Sequence, residues 1–420
     1  MRTRGARRAM SARGVRHALT RRGLFKAGAA TGVAAAAIGV MAGCGRNTKD
    51  DDTAPTVVND KSADYVIDPK TNESKYKSVD FKKEPVATWT IPVGNVLHPG
   101  GETWIPVTSA GSSATPMVKG SALDITSGTL YEVVSKTHTS HNTNMVIYDV
   151  RCSDSVYAWS ELDLLTHKWY LYAAAFSGGA LAGDVSTLWH ANKDFDPPLF
   201  AVAGKRVIWQ VMPSTTGTKA AKSSSCYVWS LGDSKARRAI ESPGRFATEP
   251  AVSDGTVTLT PRVRADKGTF YGITSYKLSD DLSERVDQLV LPAGVKPLNA
   301  VSIDDRFAFS IEASYSSGGL LGTMGSYIGK PEGPFVALSR EPFAPICGKD
   351  GTYIVKSRAS YFVIDTDKRK YSVLAAQNRC VDYGEYPACV GSTSQFVTFS
   401  TIKNQDTGYP ESVSVRVFSL

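Results

Sequence analysis

The sequence of 420 residues predicts an all-β protein built from repeats, and two observations lead to this prediction. From about residue 60 onward, short runs rich in Val, Tyr, Phe, Trp and Thr alternate with turns rich in Gly, Asp, Asn and Pro, which is typical of strands. In the same region an apolar pair, a short polar turn and a second alternating strand recur as a unit. The spacings between successive units are 52, 50, 49, 45 and 43 residues, measured between Val150, Val202, Val252, Val301, Ile346 and Cys389.

Each repeat continues with a second hairpin, so a repeat contains about four strands. In one repeat, for example, an apolar run at residues 361–364 is followed by another at 371–374 across a polar turn. Units of 40 to 50 residues with four strands are typical of the blades of a β-propeller. A weaker copy at about residues 93–133 brings the number of repeats to seven.

The predicted fold is therefore a β-propeller of seven four-stranded blades in a single domain, residues 61–420. The last repeat ends after its third strand, at residues 413–418, and lacks a fourth. A strand-like run at residues 75–81 is predicted to supply it, because pairing the two ends closes the ring and removes exposed strand edges. The alternative is a ring of six blades with residues 60–135 as a separate cap.

Residues 1–43 have the organisation of an export signal. They contain eight Arg, one Lys and no acidic residue, and end in a small-residue apolar stretch at residues 27–41. The pair Arg21-Arg22 and the apolar residues after it resemble a twin-arginine signal, which implies passage through the twin-arginine translocase. The alternative is a transmembrane anchor, but about 15 residues are fewer than the roughly 20 needed to span a bilayer.

The apolar stretch leads into Cys44, and residues 40–44, Val-Met-Ala-Gly-Cys, resemble a bacterial lipobox. This resemblance implies that Cys44 is lipidated and anchors the chain at the outer face of the cytoplasmic membrane. The polar residues 44–60, which include three consecutive Asp, are predicted to form a disordered tether. The alternative is an ordinary cleavage site with an incidental cysteine.

The formal net charge of +8 does not indicate a nucleic-acid-binding protein, because the excess lies in the export signal. After residue 43 the chain has 39 basic and 40 acidic residues. Nucleic-acid binding needs a basic surface on the folded part, so we expect no nucleic-acid partner.

The repeat region resembles the TolB-like and WD40-like β-propellers of the bacterial periplasm and cell surface. Residues 252–255, Val-Ser-Asp-Gly, are similar to the Pro-Asp-Gly turn of TolB repeats. With the twin-arginine and lipobox motifs added, the whole chain resembles an exported propeller lipoprotein of an actinobacterium.

The sequence contains no motif for a nucleophile elbow, a zinc-binding helix, a phosphate loop or a dinucleotide site, so no catalytic residue, metal or cofactor is predicted. The predicted function is binding or scaffolding, with an envelope protein, a glycan or a peptide as partner. The alternative is a hydrolase or lyase whose catalytic groups come from different blades and converge at the funnel mouth. Four tryptophans are expected to pack between blades rather than to stack on sugars: Trp104, Trp159, Trp209 and Trp229.

Five cysteines follow Cys44, and an exported domain permits disulfides. Cys380 and Cys389 bracket an eight-residue loop and are predicted to pair. The alternative is five reduced thiols in a core large enough to be stable without a disulfide.

Long loops are predicted on one face of the propeller and short turns on the other. Rigid scaffolds place recognition on long loops, so the long-loop face is predicted to bind the partner. The candidate contact residues are Asp194, Phe195, Asp196, Arg245, Tyr271, Tyr383 and Tyr409.

Overall fold

The computed structural model describes residues 53–56, 58, 63–110, 117–139, 144–216, 222–264, 268–312, 324–377 and 384–420. All of them belong to the compact unit Lys49–Leu420. Their regular secondary structure consists of strands, and no helix with the length and apolar character needed to cross a bilayer occurs within these ranges. The export motif at Arg21 and Arg22 and the lipidation site at Cys44 lie outside the described residues and stay predictions.

The strands group into seven sheets, and three N-terminal strands join sheets that later parts of the chain form. The N-terminal strands are β1 (Ala63–Tyr65), β2 (Lys77–Ser78) and β3 (Ala87–Pro92). Sheet 1 consists of β4 (Asn95–Leu97), β5 (Trp104–Ala110), β6 (Met117–Asp124) and β7 (Leu130–Val134). Sheet 2 consists of β8 (Met145–Cys152), β9 (Val156–Asp163), β10 (Trp169–Ser177), β11 (Ala180–Leu181) and β12 (Ser186–Ala191). Sheet 3 consists of β13 (Leu199–Ala203), β14 (Arg206–Val211), β15 (Ser224–Ser230) and β16 (Arg237–Ser242).

The remaining four sheets follow in the same chain order. Sheet 4 consists of β17 (Ala251–Ser253), β18 (Thr256–Leu259), β19 (Arg262–Val263), β20 (Phe270–Lys277) and β21 (Arg285–Val290). Sheet 5 consists of β1 with β22 (Pro297–Ile303), β23 (Arg306–Ile311), β24 (Gly325–Gly329) and β25 (Phe335–Leu338). Sheet 6 consists of β2 with β26 (Cys347–Lys349), β27 (Thr352–Ser357), β28 (Ser360–Asp365) and β29 (Lys370–Ala375). The last strands are β30 (Tyr386–Pro387), β31 (Gly391–Ser392), β32 (Gln395–Lys403) and β33 (Pro410–Ser419); β31 pairs with β26, and the others form sheet 7 with β3.

Two-residue turns connect the first two strands of several sheets. Asp254 and Gly255, between β17 and β18, both have positive φ, at 48° and 71°. A hairpin turn with positive φ at both central residues matches the twist of its strands, and Asp-Gly adopts it readily. The Asp304 carboxylate accepts a hydrogen bond of 2.8 Å from the Gly351 amide, so the turns of neighbouring sheets are linked on this face.

Clusters of buried apolar side chains lie between consecutive sheets and close them into a ring. The cluster between sheets 7 and 1 contains Val415 and Ile105, and the cluster between sheets 1 and 2 contains Ala122 and Tyr157. Sheet 1 therefore packs against sheets 7 and 2, and the predicted β-propeller fold is confirmed. Of the tryptophans predicted to pack between blades, three are buried and one is half-buried: Trp159, Trp209, Trp229 and, half-buried, Trp104.

The strand that closes the ring is β3, and not the run at residues 75–81 that the sequence predicted. β3 is antiparallel to β33, with Ala87 opposite Val417. The earlier run contributes only the two residues of β2, which are parallel to β29 of sheet 6. Closure by an N-terminal strand was predicted correctly, but the choice of strand was wrong. The alternation of Trp89 and Ile91 with threonines, typical of a strand with one buried face, marks β3 in the sequence.

The described residues 53–56, 58 and 63–86, which we name the N-terminal strap, lie along the outer edges of sheets 4, 5 and 6. The Thr56 amide donates a hydrogen bond of 2.6 Å to the Val290 carbonyl of sheet 4. β1 is parallel to β25 in sheet 5, and β2 is parallel to β29 in sheet 6. Val58 and Tyr76 are buried against these sheets. Thr56 and Val58, in the segment predicted to be a disordered tether, therefore pack against the propeller.

The outer strands of sheets 1, 2 and 3 differ from those under the strap. In the part of the chain that the structure describes, β7, β12 and β16 have a partner strand on one side only. We name the outer edges of sheets 1 to 3 the bare rim and those of sheets 4 to 6 the strapped rim.

Candidate functional site

A pocket of about 420 Å³ lies on the bare rim, between sheets 2 and 3. β10, β12 and the connection after β12 form most of its walls, beside one of the long loops predicted to bind a partner. Four of its side chains are rings, and Lys168 and Asn192 add polar groups. The lining residues are Lys168, Tyr170, Trp189, His190, Ala191, Asn192, Phe195 and Val211.

A β-bulge in sheet 2 places Trp189 at this pocket. Leu171 is opposite Trp189 and Tyr172 is opposite Thr187, so Leu188 is the extra residue on β12. A bulge changes the direction of the side chains beside it. As a result, Leu188 and Trp189 both pack against the cluster between sheets 2 and 3, although they are consecutive in the strand. The half-buried Trp189 ring thus lies at the edge of the core, next to the solvent.

Neighbouring rings hold the aromatic walls of the pocket in place. The centroid of the Trp189 ring is 4.5 Å from that of Tyr227 in sheet 3. The Tyr170 ring is stacked between Tyr172 and His190, with 6.1 Å between centroids on each side. Burial raises the pKa of the Tyr172 hydroxyl, so this supporting residue stays neutral. A ligand in the pocket therefore does not have to order these rings when it binds.

The structure brings four of the predicted contact residues together beside the pocket. Phe195 lines it, and Asp194 precedes Phe195 in the same connection. Asp196 forms a salt bridge of 2.7 Å with Arg245, whose guanidinium also donates to the carbonyl of Pro213. Arg245 and Asp196 therefore fix the connection that carries Phe195.

Two further predicted contact residues, Tyr271 and Tyr409, do not line this pocket. Tyr271 lies in β20 and is only 7% exposed, and the Arg262 guanidinium lies over its ring. The prediction that Tyr271 belongs to an exposed loop was wrong, since β20 already begins at Phe270. Tyr409 is 74% exposed but lies next to β33 in sheet 7. Tyr383 lies outside the described residues.

Reasoning from the sequence missed Tyr170, Trp189 and His190 as members of the site. The available signal was the Trp189-His190 pair, two rings at the end of a strand and next to a long loop. The position of Tyr170 opposite His190 depends on strand register, which the bulge shifts.

A second polar cluster lies on the inner strands, where the first strands of neighbouring sheets contact one another. Asp149 and Arg151 lie on one side of β8, two residues apart, and both are buried. The His98 imidazole, just after β4, is 3.2 Å from the Asp149 carboxylate. The Arg151 guanidinium contacts Asp149 and lies 3.2 Å from the Glu249 carboxylate, just before β17. Charged groups from sheets 1, 2 and 4 thus converge near the propeller axis. No sequence motif indicated this cluster.

Arg151 contacts one oxygen of each carboxylate of this inner cluster, Asp149 in sheet 2 and Glu249 just before sheet 4. Contacts of a buried guanidinium with carboxylates from two sheets hold those sheets together. The cluster therefore indicates a structural link between sheets. Among the residues that the structure describes, no group of three or more His, Cys, Asp or Glu side chains is placed to hold a metal ion.

A third buried cluster lies between sheets 6 and 7. Arg416 binds Glu385 through two hydrogen bonds of 2.7 Å. The Lys356 ammonium lies 4.7 Å from the centre of the Tyr361 ring and donates to the carbonyl of Arg358. Burial lowers the pKa of Lys356 to about 8, although the Glu385 carboxylate opposes this shift. The buried Lys356 thus donates to a backbone carbonyl in the turn between β27 and β28.

The structure describes four of the five cysteines that follow Cys44, and all four are buried free thiols: Cys152, Cys226, Cys347 and Cys389. The sulfur of Cys389 lies 3.3 Å from that of Cys347. Cys380 lies outside the described residues, and its pairing with Cys389 stays a prediction.

Comparisons with known proteins give similarity of fold. No known protein family and no curated protein sequence matches the chain. Among solved structures, it is similar to the β-propeller domain of the trilobed protease from Pyrococcus furiosus, at 10% identity and a TM-score of 0.49, over 78% of this chain and 95% of that one. It is also similar to an acylaminoacyl peptidase at 10% identity and a TM-score of 0.48, over 78% of this chain and 51% of that one. An α-L-arabinanase from Penicillium chrysogenum matches at 12% identity and a TM-score of 0.43, over 81% of this chain and 99% of that one.

Proposed function

We propose that the chain is an exported, membrane-anchored propeller that binds a saccharide of the cell envelope in the aromatic pocket of the bare rim. The observation that supports this most is the pocket itself, where Tyr170, Trp189 and Phe195 line a space of about 420 Å³. Sites for small ligands have such volumes, with walls that are mostly apolar and a few polar groups that fix orientation.

The chemistry of the walls fits a saccharide. One face of a pyranose ring consists of C–H groups that pack on an aromatic ring, and its edge carries hydroxyls. Lys168, His190 and Asn192 place polar groups beside the rings. Of the described residues that line the pocket, Lys168 is charged and none is acidic. A neutral or acidic sugar therefore suits the pocket better than a cationic ligand.

The proposed location of the protein, outside the cytoplasmic membrane, rests on the motifs at Arg21, Arg22 and Cys44. A lipid on Cys44 would hold the propeller at the outer face of the cytoplasmic membrane, where envelope saccharides are within reach.

Binding is tested with the full chain in detergent on an array of oligosaccharides from bacterial envelopes. We expect Trp189→Ala to weaken binding at least about tenfold, because loss of an aromatic anchor commonly costs about 2 kcal/mol. Trp189 also packs on Tyr227, so Phe195→Ala is a second variant with the same expected direction. Tyr409→Ala, an exposed aromatic residue of sheet 7, is the matched control and should bind as the wild type does.

Two outcomes of the array experiment contradict the proposal. One is binding of envelope peptides with no binding of saccharides, which would favour a peptide as the partner. The other is an equal affinity in the wild type and in both pocket variants, which would move the site elsewhere.

Anchoring is tested separately with Cys44→Ser. This change removes the thiol that accepts the lipid, so we expect loss of lipid labelling and release of the protein from the membrane fraction. A double change of Arg21 and Arg22 to Lys should block export. Labelling of the Cys44→Ser protein by a fatty-acid probe would contradict lipidation at this residue.

The alternative function is a hydrolase or lyase whose catalytic groups converge at the funnel. One observation bears on it, the inner cluster of His98, Asp149, Arg151 and Glu249. Since Arg151 binds both carboxylates, this cluster supports a structural role more than acid–base chemistry. We therefore place binding first.

A further inference from the structure

Cys347 and Cys389 bring two buried sulfur atoms together where sheets 6 and 7 meet. Cys347 begins β26, and Cys389 lies two residues before β31, which is parallel to β26 with Gly391 opposite Cys347. The two Sγ atoms are 3.3 Å apart. Since the strand pairing already fixes the backbones side by side, a bond between the sulfurs needs only a small movement of the two side chains.

The surroundings of this pair are apolar and offer it no other described sulfur. Phe396 and other large side chains enclose it in the cluster between sheets 6 and 7. The adjacent thiol of Cys389, and then burial, raise the pKa of Cys347. Cys152 and Cys226 belong to the clusters between sheets 1 and 2 and between sheets 3 and 4. Among the described cysteines, each member of the pair therefore has the other as its partner.

We infer that a disulfide joins Cys347 and Cys389 in the exported protein and ties sheet 6 to sheet 7. The co-reactant is a disulfide oxidant, either a protein or a small molecule. One cysteine thiolate attacks the oxidant and forms a mixed disulfide, which the second thiolate then resolves. One S–S bond forms in this chain and the S–S bond of the oxidant breaks. The two electrons and two protons leave with the oxidant as two thiols.

The inference rests on the export part of the proposed function, because disulfides form and persist in oxidising compartments. Both sulfurs are buried in the folded chain, and the exchange depends on thiolate and access. Access of the oxidant to the pair therefore requires local opening of the contact between sheets 6 and 7. The bond also excludes the pairing of Cys380 with Cys389, since Cys389 can form one disulfide only.

The bond would restrict the unfolded chain near the closure of the ring. It joins residues 42 positions apart, a segment that contains β26 to β29 and leads into sheet 7. Such a crosslink removes conformational freedom from the unfolded state and so favours the folded one.

The sulfur pair is tested by refolding the full chain with oxidised and reduced glutathione, followed by mass spectrometry of unreduced peptides. We expect a crosslink between positions 347 and 389, and a fall in Tm of roughly 3–5 °C when the bond is reduced. Cys347→Ser and Cys389→Ser should each abolish both signals. Cys152→Ser and Cys226→Ser are the matched controls and should keep both.

Free thiols at both positions after refolding, or a Cys380–Cys389 crosslink in their place, would overturn the inference. The same peptide analysis on protein taken from cells, with thiols alkylated at lysis, tests the compartment. A bond found there supports the inference as a whole. A bond that forms on refolding but is absent from the cellular protein would support the sulfur pair and contradict export.

Discussion

The strapped rim and the bare rim of this propeller protect their outer strand edges in different ways. Every sheet ends in an outer strand whose unpaired N–H and C=O groups invite association with other chains. On sheets 5 and 6 the strap covers these groups with β1 and β2. On sheet 3, β16 instead begins with two exposed charged residues, Arg237 and Arg238, and on sheet 2, β12 contains a bulge. Charges and bulges are common protections of an open edge.

The difference in edge coverage between the two rims indicates where a ligand has access to the propeller. The strap occupies the edge of its sheets with backbone and with buried side chains such as Tyr76. On the bare rim the described residues leave the outer strands without a second partner strand, and the aromatic pocket lies there. One part of the rim therefore contributes to stability, and the other has room for recognition.

The largest expected effect that tests this comparison comes from truncation. A chain that begins at residue 84 lacks β1, β2 and all but the last three residues of the strap and keeps β3, whereas a chain that begins at residue 93 lacks the whole strap and β3. We expect the first to unfold cooperatively at a lower temperature and the second to aggregate, because the loss of β3 uncovers β33 and opens the ring. Scanning calorimetry and light scattering measure the two effects.

A chain that begins at residue 53 is the control for these truncations and should melt like the full chain. Equal melting behaviour of the chains that begin at residues 84 and 93 would show that β3 does not close the ring.

The second largest effect is the loss of stability expected when a tyrosine on each rim is replaced by alanine. Tyr76 of the strap is 2% exposed, and its ring packs under Arg369 with its hydroxyl 3.0 Å from the Asp64 carboxylate. Tyr76→Ala should lower the free energy of unfolding by about 3 kcal/mol, as for other large buried rings. Tyr131→Ala, on the outer strand β7 of the bare rim, should cost less than about 1 kcal/mol, because Tyr131 is 36% exposed.

Urea unfolding at neutral pH measures this second pair of variants. Similar losses at both positions would mean that the strap contributes no more to stability than an exposed edge does.

The smallest effect concerns pH. Burial, followed by the nearby Asp64 carboxylate, raises the pKa of the Tyr76 hydroxyl well above 10. The folded chain therefore keeps a proton that the unfolded chain loses above pH 10, so this contribution to stability is full below pH 10 and declines as the pH rises further. Tyr76→Phe should cost about 1 kcal/mol at pH 7 through the lost hydrogen bond, and progressively less above pH 10. A difference between the two proteins that stays constant from pH 7 to 11 would contradict this account.

Much of the fold could be predicted from the sequence, because each blade repeats the same local chemistry. Turns such as Asp254-Gly255 and strands with alternating apolar residues recur at a nearly constant spacing. The route of the strap could not be predicted in the same way. β1 and β2 have only three and two residues, and their partners lie more than 250 positions away in the chain.

The candidate site was predicted only in part, for a similar reason. Phe195 was found because it lies in a long loop between strands. Trp189 was missed, since its position depends on a bulge that brings two consecutive side chains to one side of the sheet. The inner cluster was missed because His98 and Glu249 meet Asp149 and Arg151 only when distant blades come together around the axis.

The strap and β3 also determine the order in which the strands of the protein can pair during synthesis. A ribosome releases the N-terminus first, so β1, β2 and β3 exist before any of the strands that they pair with. β1 must wait for β25, β2 for β29, and β3 for β33, which follows the other described strands in the sequence. The first strands of the domain to be synthesised are thus among the last to pair. The ring closes only after β33 has been translated.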